Sequence, residues 1–221
     1  MLRLAHQEVH VWTAPAAQAP EVASLLDAGE RARAARLRFE RDRALFTAAH
    51  GLLRLLLAAY LDEAPQALRF EVAEHGKPFL VGRPDVSFNL SHSGDLALVA
   101  LATGRQVGVD VEHSRPIRGE EGVARRVMTD GELARYLSLE AGDRRSFLLR
   151  VWARKEALVK ASGLGIRASL TAVPSEPGPS DAWSVADLDI PGYAAAVAAA
   201  GSDWRPVLRD ALSVPRWCRP G

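Results

Sequence analysis

Two carboxylates lie two residues apart in the segment Gly108-Val109-Asp110-Val111-Glu112. The valines favour a β-strand, and side chains at positions i and i+2 of a strand leave the same face of the sheet. Asp110 and Glu112 would therefore point in one direction, where their like charges repel. Such a pair needs a cation or a proton between the two groups, so the segment predicts a charged functional site.

A second segment brings a third carboxylate next to two lysines: Trp152-Ala153-Arg154-Lys155-Glu156-Ala157-Leu158-Val159-Lys160. The pattern is typical of a helix, with Lys160 one turn after Glu156. If Glu156 points at the strand pair, three carboxylates converge, and such an all-oxygen set suits Mg²⁺ rather than zinc. Because Mg²⁺ usually completes its coordination with water and phosphate oxygens, the acids and lysines together predict a polyphosphate site.

Lysine is rare in this chain. Of the 28 basic residues only Lys77, Lys155 and Lys160 are lysines. A lysine is a compact charge on a flexible stem, whereas an arginine is a rigid fork, so the three positions could be places that need an ammonium group. Codon bias with chance placement explains the same counts, and the counts alone do not separate the two explanations.

Composition limits the class of protein. The chain has 221 residues, of which 48% are hydrophobic, enough for the core of one large domain or two small ones. A net charge of +1 gives no indication of nucleic-acid or membrane binding. With no apolar run near the length of a membrane span and no signal-peptide core, a cytoplasmic protein is expected. The single Cys218 excludes an internal disulfide and a cysteine metal cluster.

The first half of the chain predicts a strand and two helices ahead of a β-rich region. Residues 9–12 favour a strand, helical periodicity runs from 21 toward 42, and a second helix covers 42–61, ending before Pro65. The first helical stretch is rich in arginine. Its arginines could bind an anion or could simply form a solvated helix face.

Two short segments in this half could contact a ligand. In Gly76-Lys77-Pro78, the glycine permits an unusual backbone conformation and the proline forces Lys77 toward an extended one, which fixes the direction of its side chain. Residues 87–95 are rich in Ser, Asn and His, which is typical of a turn but could also present Ser91 and His92 to a phosphate. A Ser91 nucleophile activated by His92 is not expected, because adjacent residues of an extended chain face opposite ways.

The second half predicts helices followed by strands. Thr129-Asp130-Gly131-Glu132 has the spacing of a capping box that opens a helix to residue 139, and Asp143 is expected to cap a longer helix that ends near Gly163. Strands are expected at 168–173, 183–188 and 193–199. Residues 204–221 contain three prolines and are expected to be irregular.

Three segments in chain order resemble the 4′-phosphopantetheinyl transferase superfamily: Asn89-Leu90-Ser91-His92-Ser93, then residues 108–112, then residues 152–160 in the pattern W-x-x-K-E-x-x-x-K. Gly76-Lys77-Pro78 and the chain length make the sequence similar to the Sfp-type branch. The resemblance implies an α+β fold, a pseudo-dimer of two similar α/β-type lobes in one chain. The expected boundaries are 1–104 for the N-terminal lobe, 105–204 for the C-terminal lobe with the Mg²⁺ site, and 205–221 for a tail.

The resemblance also implies roles for individual residues. Asp110, Glu112 and Glu156 would hold Mg²⁺ on the pyrophosphate of coenzyme A. Glu156, Lys160 and His92 are the expected catalytic residues, with Glu156 as the base because it comes from a different element than the other two acids. The residues expected to bind coenzyme A are Arg31, Arg33, Arg36, Gly76, Lys77, Pro78, Ser91, His92, Lys155 and Lys160. All three lysines fall in matched motifs, which favours function over chance.

The implied reaction moves the phosphopantetheine arm of coenzyme A to a serine of an apo acyl or peptidyl carrier protein, in fatty acid, polyketide or peptide synthesis, and releases adenosine 3′,5′-bisphosphate. A monomer with no nucleic-acid or membrane partner is expected. One alternative is a Mg²⁺-dependent hydrolase of coenzyme A or nucleotide pyrophosphates. Another is a non-catalytic module that binds coenzyme A or carriers; such a module would be expected to lack one or more of the three acids. An acidic carrier helix would suit a patch of arginines and apolar groups, for which the sequence offers Arg125, Arg126, Met128 and Phe147.

Overall fold

The first half of the chain forms a sheet covered by one long helix. The computed structural model describes residues 2–165, 169–178 and 182–210. In chain order this half contains β1 (Glu8–Pro15), α1 (Ala19–Val22), α2 (Ala28–Arg36), α3 (Glu40–Leu61), β2 (Phe70–Val72), β3 (Pro78–Leu80), β4 (Val86–Ser93) and β5 (Leu96–Thr103). β5 pairs antiparallel with both β4 and β1, and β2 and β3 form a separate short hairpin.

The second half repeats this plan. It contains β6 (Val107–His113), α4 (Glu120–Val127), α5 (Asp130–Ser138), α6 (Ala141–Ser162), β7 (Trp183–Leu188), β8 (Tyr193–Ala200) and β9 (Arg205–Asp210). β8 pairs antiparallel with both β6 and β7, while β9 returns to the first half and pairs parallel with β1. The first sheet therefore has the order β4-β5-β1-β9 and the second sheet the order β6-β8-β7. The predicted α+β fold with two similar lobes is confirmed.

The two sheets pack against each other and the two long helices cover their outer faces. Val9 and Val11 of the first sheet share one apolar core with Val109 and Val111 of the second. Because successive side chains of a strand point to opposite faces, Trp12 of the same β1 faces away from that core and packs with residues of α3. On the second sheet, Ala196 and Ala198 pack against α6 in the same way.

Side chains join the two sheets where β4 lies beside β6. Ser87, Asn89, Ser91 and Ser93 alternate with Phe88, Leu90 and His92, so the first set forms a polar row on one face of β4. Three members of this polar row accept hydrogen bonds from backbone N–H groups of β6: Ser87 Oγ from Val107 at 3.2 Å, Asn89 Oδ1 from Val109 at 3.0 Å and Ser93 Oγ from His113 at 3.0 Å. Side chains thus satisfy backbone groups on the edge of β6.

Several element boundaries differ from the sequence predictions. α6 begins at Ala141 after the N-cap Glu140, so Asp143 is not the cap but lies in the first turn, where its negative charge favours the helix N-terminus. Residues 170–172 form a 3-10 helix rather than a strand, and residue 168 lies outside the described residues. Residues 205–210 are a strand rather than irregular, because the edge of β1 provides backbone partners for them; residues 211–221, including Cys218, lie outside the described residues.

α3 is the one helix in the described part of the chain that is long and apolar enough to cross a membrane by length and composition. Most of its leucines are buried in the core that it forms with β1, β4 and β5, for example Leu52 and Leu56 at 2% and 0% exposure. Packing against the first sheet accounts for its apolar composition.

Candidate active site

The site begins with an unusually close contact between α6 and β6. A Cβ atom built on Gly108 would lie 2.2 Å from the Ala157 carbonyl oxygen and 2.3 Å from the Ala161 backbone nitrogen. Only a glycine allows the helix backbone to approach the strand this closely. The contacted backbone of α6 directly follows Glu156 and includes Lys160, and Gly108 lies one strand repeat before Asp110, so the contact brings these three side chains together.

Lys160 supplies the cation that the acidic strand requires. Its Nζ donates to Asp110 Oδ1 at 2.6 Å, to Ser91 Oγ at 3.0 Å and to the Val109 carbonyl oxygen at 3.2 Å. Ser91 Oγ in turn donates to Asp110 Oδ1 at 2.7 Å. The predicted divergence of Ser91 and His92 is confirmed, since Ser91 faces β6 and contacts the acid.

The charge of Asp110 affects the pKa values of the other two carboxylates, Glu112 and Glu156. Burial, and next the charge of Asp110, raise the pKa of Glu112 to about 7, while the hydroxyl of Ser93 at 3.2 Å lowers it in part. Burial and Asp110 also raise the pKa of Glu156, against the opposing effect of Lys160. The three acids thus share one region and destabilise each other's charged forms, which favours a cation there.

The donor set fits Mg²⁺ in its chemistry. All three side chains offer hard oxygen ligands, and the buried Oδ2 of Asp110 has no hydrogen-bond partner, although such buried polar atoms are normally paired. Among the described residues, however, no three acidic, imidazole or thiol groups already stand close enough together to hold a metal ion. In this arrangement the ammonium group of Lys160 is the cation facing Asp110.

A cavity of about 440 Å³ opens beside these groups. Both lobes contribute to its walls, the first through Gly76, Lys77 and Pro78 and the second through Glu156 and Lys160. Three residues at the end of α6 and after it, Gly163, Gly165 and Leu170, form another wall. Residues 76–78 and the helix motif at 152–160, both predicted as ligand contacts, therefore line one cleft between the lobes.

Lys77 spans this cleft. Its Nζ donates to Gln106 Oε1 at 2.9 Å, to the Val107 carbonyl oxygen at 3.1 Å and to the Ala161 carbonyl oxygen at 3.0 Å. Since all three acceptors are uncharged, burial lowers the pKa of Lys77 to about 8. Gly76, with φ of +89°, allows the turn that directs the lysine across to the second lobe.

His92 and the arginines of α2 lie away from the walls of that cavity. Removal from water, and next the charge of Lys160, lower the pKa of His92, whose other charged neighbours are Asp42 and His50 of α3. Arg33 lies 5.8 Å from the ring centre of Phe46, which stacks on His50 at 4.0 Å. Arg31 donates to the Leu26 carbonyl oxygen. Arg31, Arg33 and Arg36 are exposed, and any contact of theirs with a ligand stays a prediction.

Some side chains that were expected to contact a ligand or a partner are buried. Lys155 is fully buried, its ammonium contacts protein groups, and it is not among the residues that line the cavity. Met128 and Phe147 are buried in the core between α4, α5 and α6, at 3% and 7% exposure. They cannot form an apolar docking patch, although Arg125 and Arg126 remain exposed. In each case helix packing decides which side chain faces inward.

Some site residues were not anticipated from the sequence. Asn89, His75 and Leu170 line the cavity, and Ser93 contacts Glu112. The alternation of Ser and Asn with apolar residues in β4 is a signal that could have identified Asn89 and Ser93. Leu170 carries no such signal, because the path of the chain after α6 brings it to the cavity.

Comparison with known proteins gives matches over both halves of the chain. Residues 10–104 match the family model described as 4′-phosphopantetheinyl transferase, N-terminal, and residues 106–202 match that of the 4′-phosphopantetheinyl transferase superfamily. The 4′-phosphopantetheinyl transferase HetI of Nostoc sp. is 37% identical over 93% of this chain and 93% of its own length. Sfp of Bacillus subtilis is 29% identical over 52% of this chain and 50% of its own length. The match to the crystal structure of Thermotoga maritima holo-[acyl-carrier-protein] synthase covers 44% of this chain and 63% of the synthase chain, with 23% sequence identity and a TM-score of 0.36.

Proposed function

The chain belongs to the 4′-phosphopantetheinyl transferase superfamily, and on that premise we propose that it moves the 4′-phosphopantetheine arm of coenzyme A to a serine hydroxyl of an apo carrier protein, with adenosine 3′,5′-bisphosphate as the second product. One observation carries the proposal: the three acids and Lys160 lie beside a cavity that both lobes line. That arrangement suits a ligand that carries a pyrophosphate and extends across the cleft.

The residues proposed to hold Mg²⁺ are Asp110, Glu112 and Glu156. Their shared oxygen chemistry and the unpaired Oδ2 of Asp110 support this assignment. When bound, Mg²⁺ would offset negative charge on the pyrophosphate oxygens. Ser91, by donating to Asp110 Oδ1, keeps that carboxylate in a fixed orientation.

The chain's own groups account for charge and proton transfer. The P–O bond to the leaving adenosine 3′,5′-bisphosphate breaks as the carrier serine oxygen bonds to the phosphorus, and negative charge increases on the leaving oxygen. Lys160, at the cavity wall, would stabilise that charge. Glu156 would accept the serine proton, because it lines the cavity and comes from a different element than Asp110 and Glu112.

The rest of the coenzyme would lie along the lobe interface. Gly76, Lys77 and Pro78 line the same cavity as Lys160 and are proposed to contact its nucleotide part. Arg31, Arg33 and Arg36 would supply positive charge for a further phosphate group, because Arg33 lies beside Phe46, which stacks on His50, a charged neighbour of His92. His92, whose pKa is lowered, would contact that phosphate through an imidazole N–H.

We further propose a monomer that works in the cytoplasm, where its two lobes are residues 1–104 and 105–204. Both walls of the cleft come from one chain, so a second copy is not needed to complete the site. The short segment from 205 joins the first sheet as β9.

The test is incubation with coenzyme A, Mg²⁺ and a panel of apo acyl and peptidyl carrier proteins, followed by intact-mass measurement of each carrier. We expect one phosphopantetheine added to at least one carrier, with an equal amount of adenosine 3′,5′-bisphosphate. The variant Glu156→Gln should lower the rate by about 100-fold or more at saturating Mg²⁺. Glu121→Gln, which alters an exposed acid paired with Arg125, is the matched control and should act as wild type.

Several outcomes would contradict the proposal. No mass gain on any carrier would exclude the transferase activity tested, and near-normal turnover of Glu156→Gln would exclude that residue as the base. Consumption of coenzyme A without a carrier would indicate a pyrophosphate hydrolase instead. Calorimetric titration with Mg²⁺ tests the metal assignment separately, because Asp110→Asn should weaken binding at least about tenfold.

A further inference from the structure

The two long helices correspond residue by residue. α3 and α6 both have 22 residues, and both end at a residue in the left-handed conformation, Asp62 and Gly163. Fourteen residues after the first residue of each helix lies a buried cation, Arg54 in α3 and Lys155 in α6. Their exposures are 1% and 0%. A buried charge is costly unless it is paired, so its recurrence at one position in both lobes requires a physical reason.

Arg54 joins α3 to the helix that precedes it. Its Nε donates to Glu30 Oε2 at 2.6 Å and its Nη2 to Asp27 Oδ2 at 2.5 Å. Asp27 and Glu30 are the two members of the capping box that opens α2. Its Nη1 donates to the carbonyl oxygens of Pro65 and Leu68, which follow α3. One cation thus connects the start of α2, the body of α3 and the chain after α3.

Lys155 makes the same set of connections in the second lobe. Its Nζ lies 2.5 Å from Glu132 Oε2, and Glu132 is the N3 member of the capping box that opens α5. It also donates to the carbonyl oxygens of Val127 at 2.7 Å, at the end of α4, and of Leu170 at 2.9 Å, after α6. An ammonium group has three N–H donors, and these three acceptors use all of them.

Lys155 is linked to the active site by one of these connections and by its position in α6. Leu170 lines the cavity, so Lys155 fixes the position of one wall. Glu156, the proposed base, is the next residue of α6, and Lys160 follows about one turn later. Arg54 has no such neighbours, because Leu55 and Ala59 occupy the positions in α3 that correspond to Glu156 and Lys160.

We propose that Lys155 is a positioning residue and not a phosphate ligand. Through Glu132, Val127 and Leu170 it fixes the position of α6 and of the cavity wall. Arg54 fixes the corresponding helices of the first lobe, where no proposed catalytic residue adjoins it. The kinetic part of the proposal rests on the transferase function proposed above; the structural part does not.

The experiment is a double-mutant cycle on Lys155→Met and Glu132→Gln, with Tm and transfer kinetics measured well below the Tm of every variant. Glutamine can still serve in a capping box, so Glu132→Gln removes mainly the charge that faces Lys155. We expect each single variant to lower Tm by about 10 °C and kcat/KM by about 10- to 100-fold. The double variant should be no worse than the worse single variant, because both act through one contact.

Two controls separate positioning from general destabilisation. Arg54→Met should lower Tm by a similar amount but keep kcat at saturating coenzyme A within about threefold, since no proposed catalytic group adjoins it. Arg154→Met changes the neighbouring cation of α6, whose partners Asp187 and Glu176 are partly exposed, and should change both Tm and kcat little.

A phosphate ligand would behave differently. Lys155→Met would then keep its Tm and raise KM for coenzyme A, Glu132→Gln would be near wild type, and the double variant would show the product of the two effects. That pattern would overturn the proposal, and so would equal losses of kcat in Lys155→Met and Arg54→Met. If the wild type transfers nothing, the proposed function fails, while the Tm cycle still tests the contact itself.

Discussion

The two lobes share one architecture, but only one carries the acids. In the first lobe Trp12 of β1 lies opposite Val99, and in the second Asp110 of β6 lies opposite Ala196. Val99 and Ala196 each lie three residues after the start of their strands, so Trp12 and Asp110 occupy corresponding positions. By the same correspondence Ala14 matches Glu112. Positions that complete a hydrophobic core in one lobe hold carboxylates in the other.

The contact between helix and strand differs as well. His10 corresponds to Gly108, and its Nδ1 forms a 2.5 Å hydrogen bond with the hydroxyl of Tyr60 on α3. A large side chain therefore lies between β1 and α3 where the second lobe has backbone against backbone. The scaffold thus accommodates either contact, and we expect the acidic site to require the close one.

The strand edges beside these positions differ too. The edge of β1 is covered by β9, which pairs with it along its length. The edge of β6 instead faces the polar row of β4, whose side chains satisfy its backbone and leave Ser91 beside Asp110. Among the described residues, the acids and the cavity between the lobes therefore lie beside the second of these edges.

The largest effect should come from Gly108→Ala. Its Cβ would have to displace the α6 backbone at Ala157 and Ala161, moving Glu156 and Lys160 relative to Asp110. We expect transfer to fall by about 100-fold or more, because displacements of about 1 Å at a reacting group cost that much. Gly142→Ala, in the same helix with open space around its Cβ position, is the control and should keep full activity. Normal kinetics of Gly108→Ala would show that the close contact is dispensable.

An intermediate effect concerns the acid stability of the first lobe. Burial acts to raise the pKa of Glu30, but hydrogen bonds from His50 and Arg54 prevail and lower it to about 2 from 4.5. A depressed carboxyl pKa stabilises the fold above pH 4.5, and that contribution disappears as the pH falls toward 2. The free energy of unfolding should therefore lose about 2 to 3 kcal/mol across this range in the wild type and not in Glu30→Gln.

Denaturant unfolding of both proteins at several pH values between 6 and 2 measures this difference. The contacts of Glu132 with Lys155 and Ser175 lower its pKa as well, in spite of burial, so Glu132→Gln should lose part of the acid sensitivity too. Parallel pH curves for wild type and Glu30→Gln would contradict the proposed role of the Arg54 contact.

The smallest effect should come from the polar row of β4. Ser91→Ala removes a hydrogen bond to Asp110 and an acceptor of Lys160, and we expect a three- to tenfold loss of transfer, since one such bond contributes about 1 kcal/mol. Ser87→Ala removes the corresponding contact with Val107 away from the acids and should lower stability without changing kcat. Equal kcat for the two variants would show that Ser91 contributes only to the lobe interface.

Much of the site was predictable from local pattern. Alternation in β6 put Asp110 and Glu112 on one face, and helical spacing put Glu156 and Lys160 one turn apart, because strand and helix periods are properties of the backbone. The capping box at Thr129 and Glu132 was also predicted from its spacing and is confirmed. The 3-10 turn at 170–172 and the strand at 205–210 were not, since each depends on a partner distant in the sequence.

The sequence by itself determined which chemical groups are available, three acids, three lysines and a glycine at the start of the acidic strand, and on which face of its element each one lies. Tertiary structure decided how they are used. One helix motif contains Lys155, Glu156 and Lys160, and the sequence does not distinguish their roles. Because a helix turns by 100° per residue, Lys155 points into the core between helices, whereas Glu156 and Lys160 point to the cleft. That division depends on where α4, α5 and β6 pack around α6, and only the folded chain specifies it.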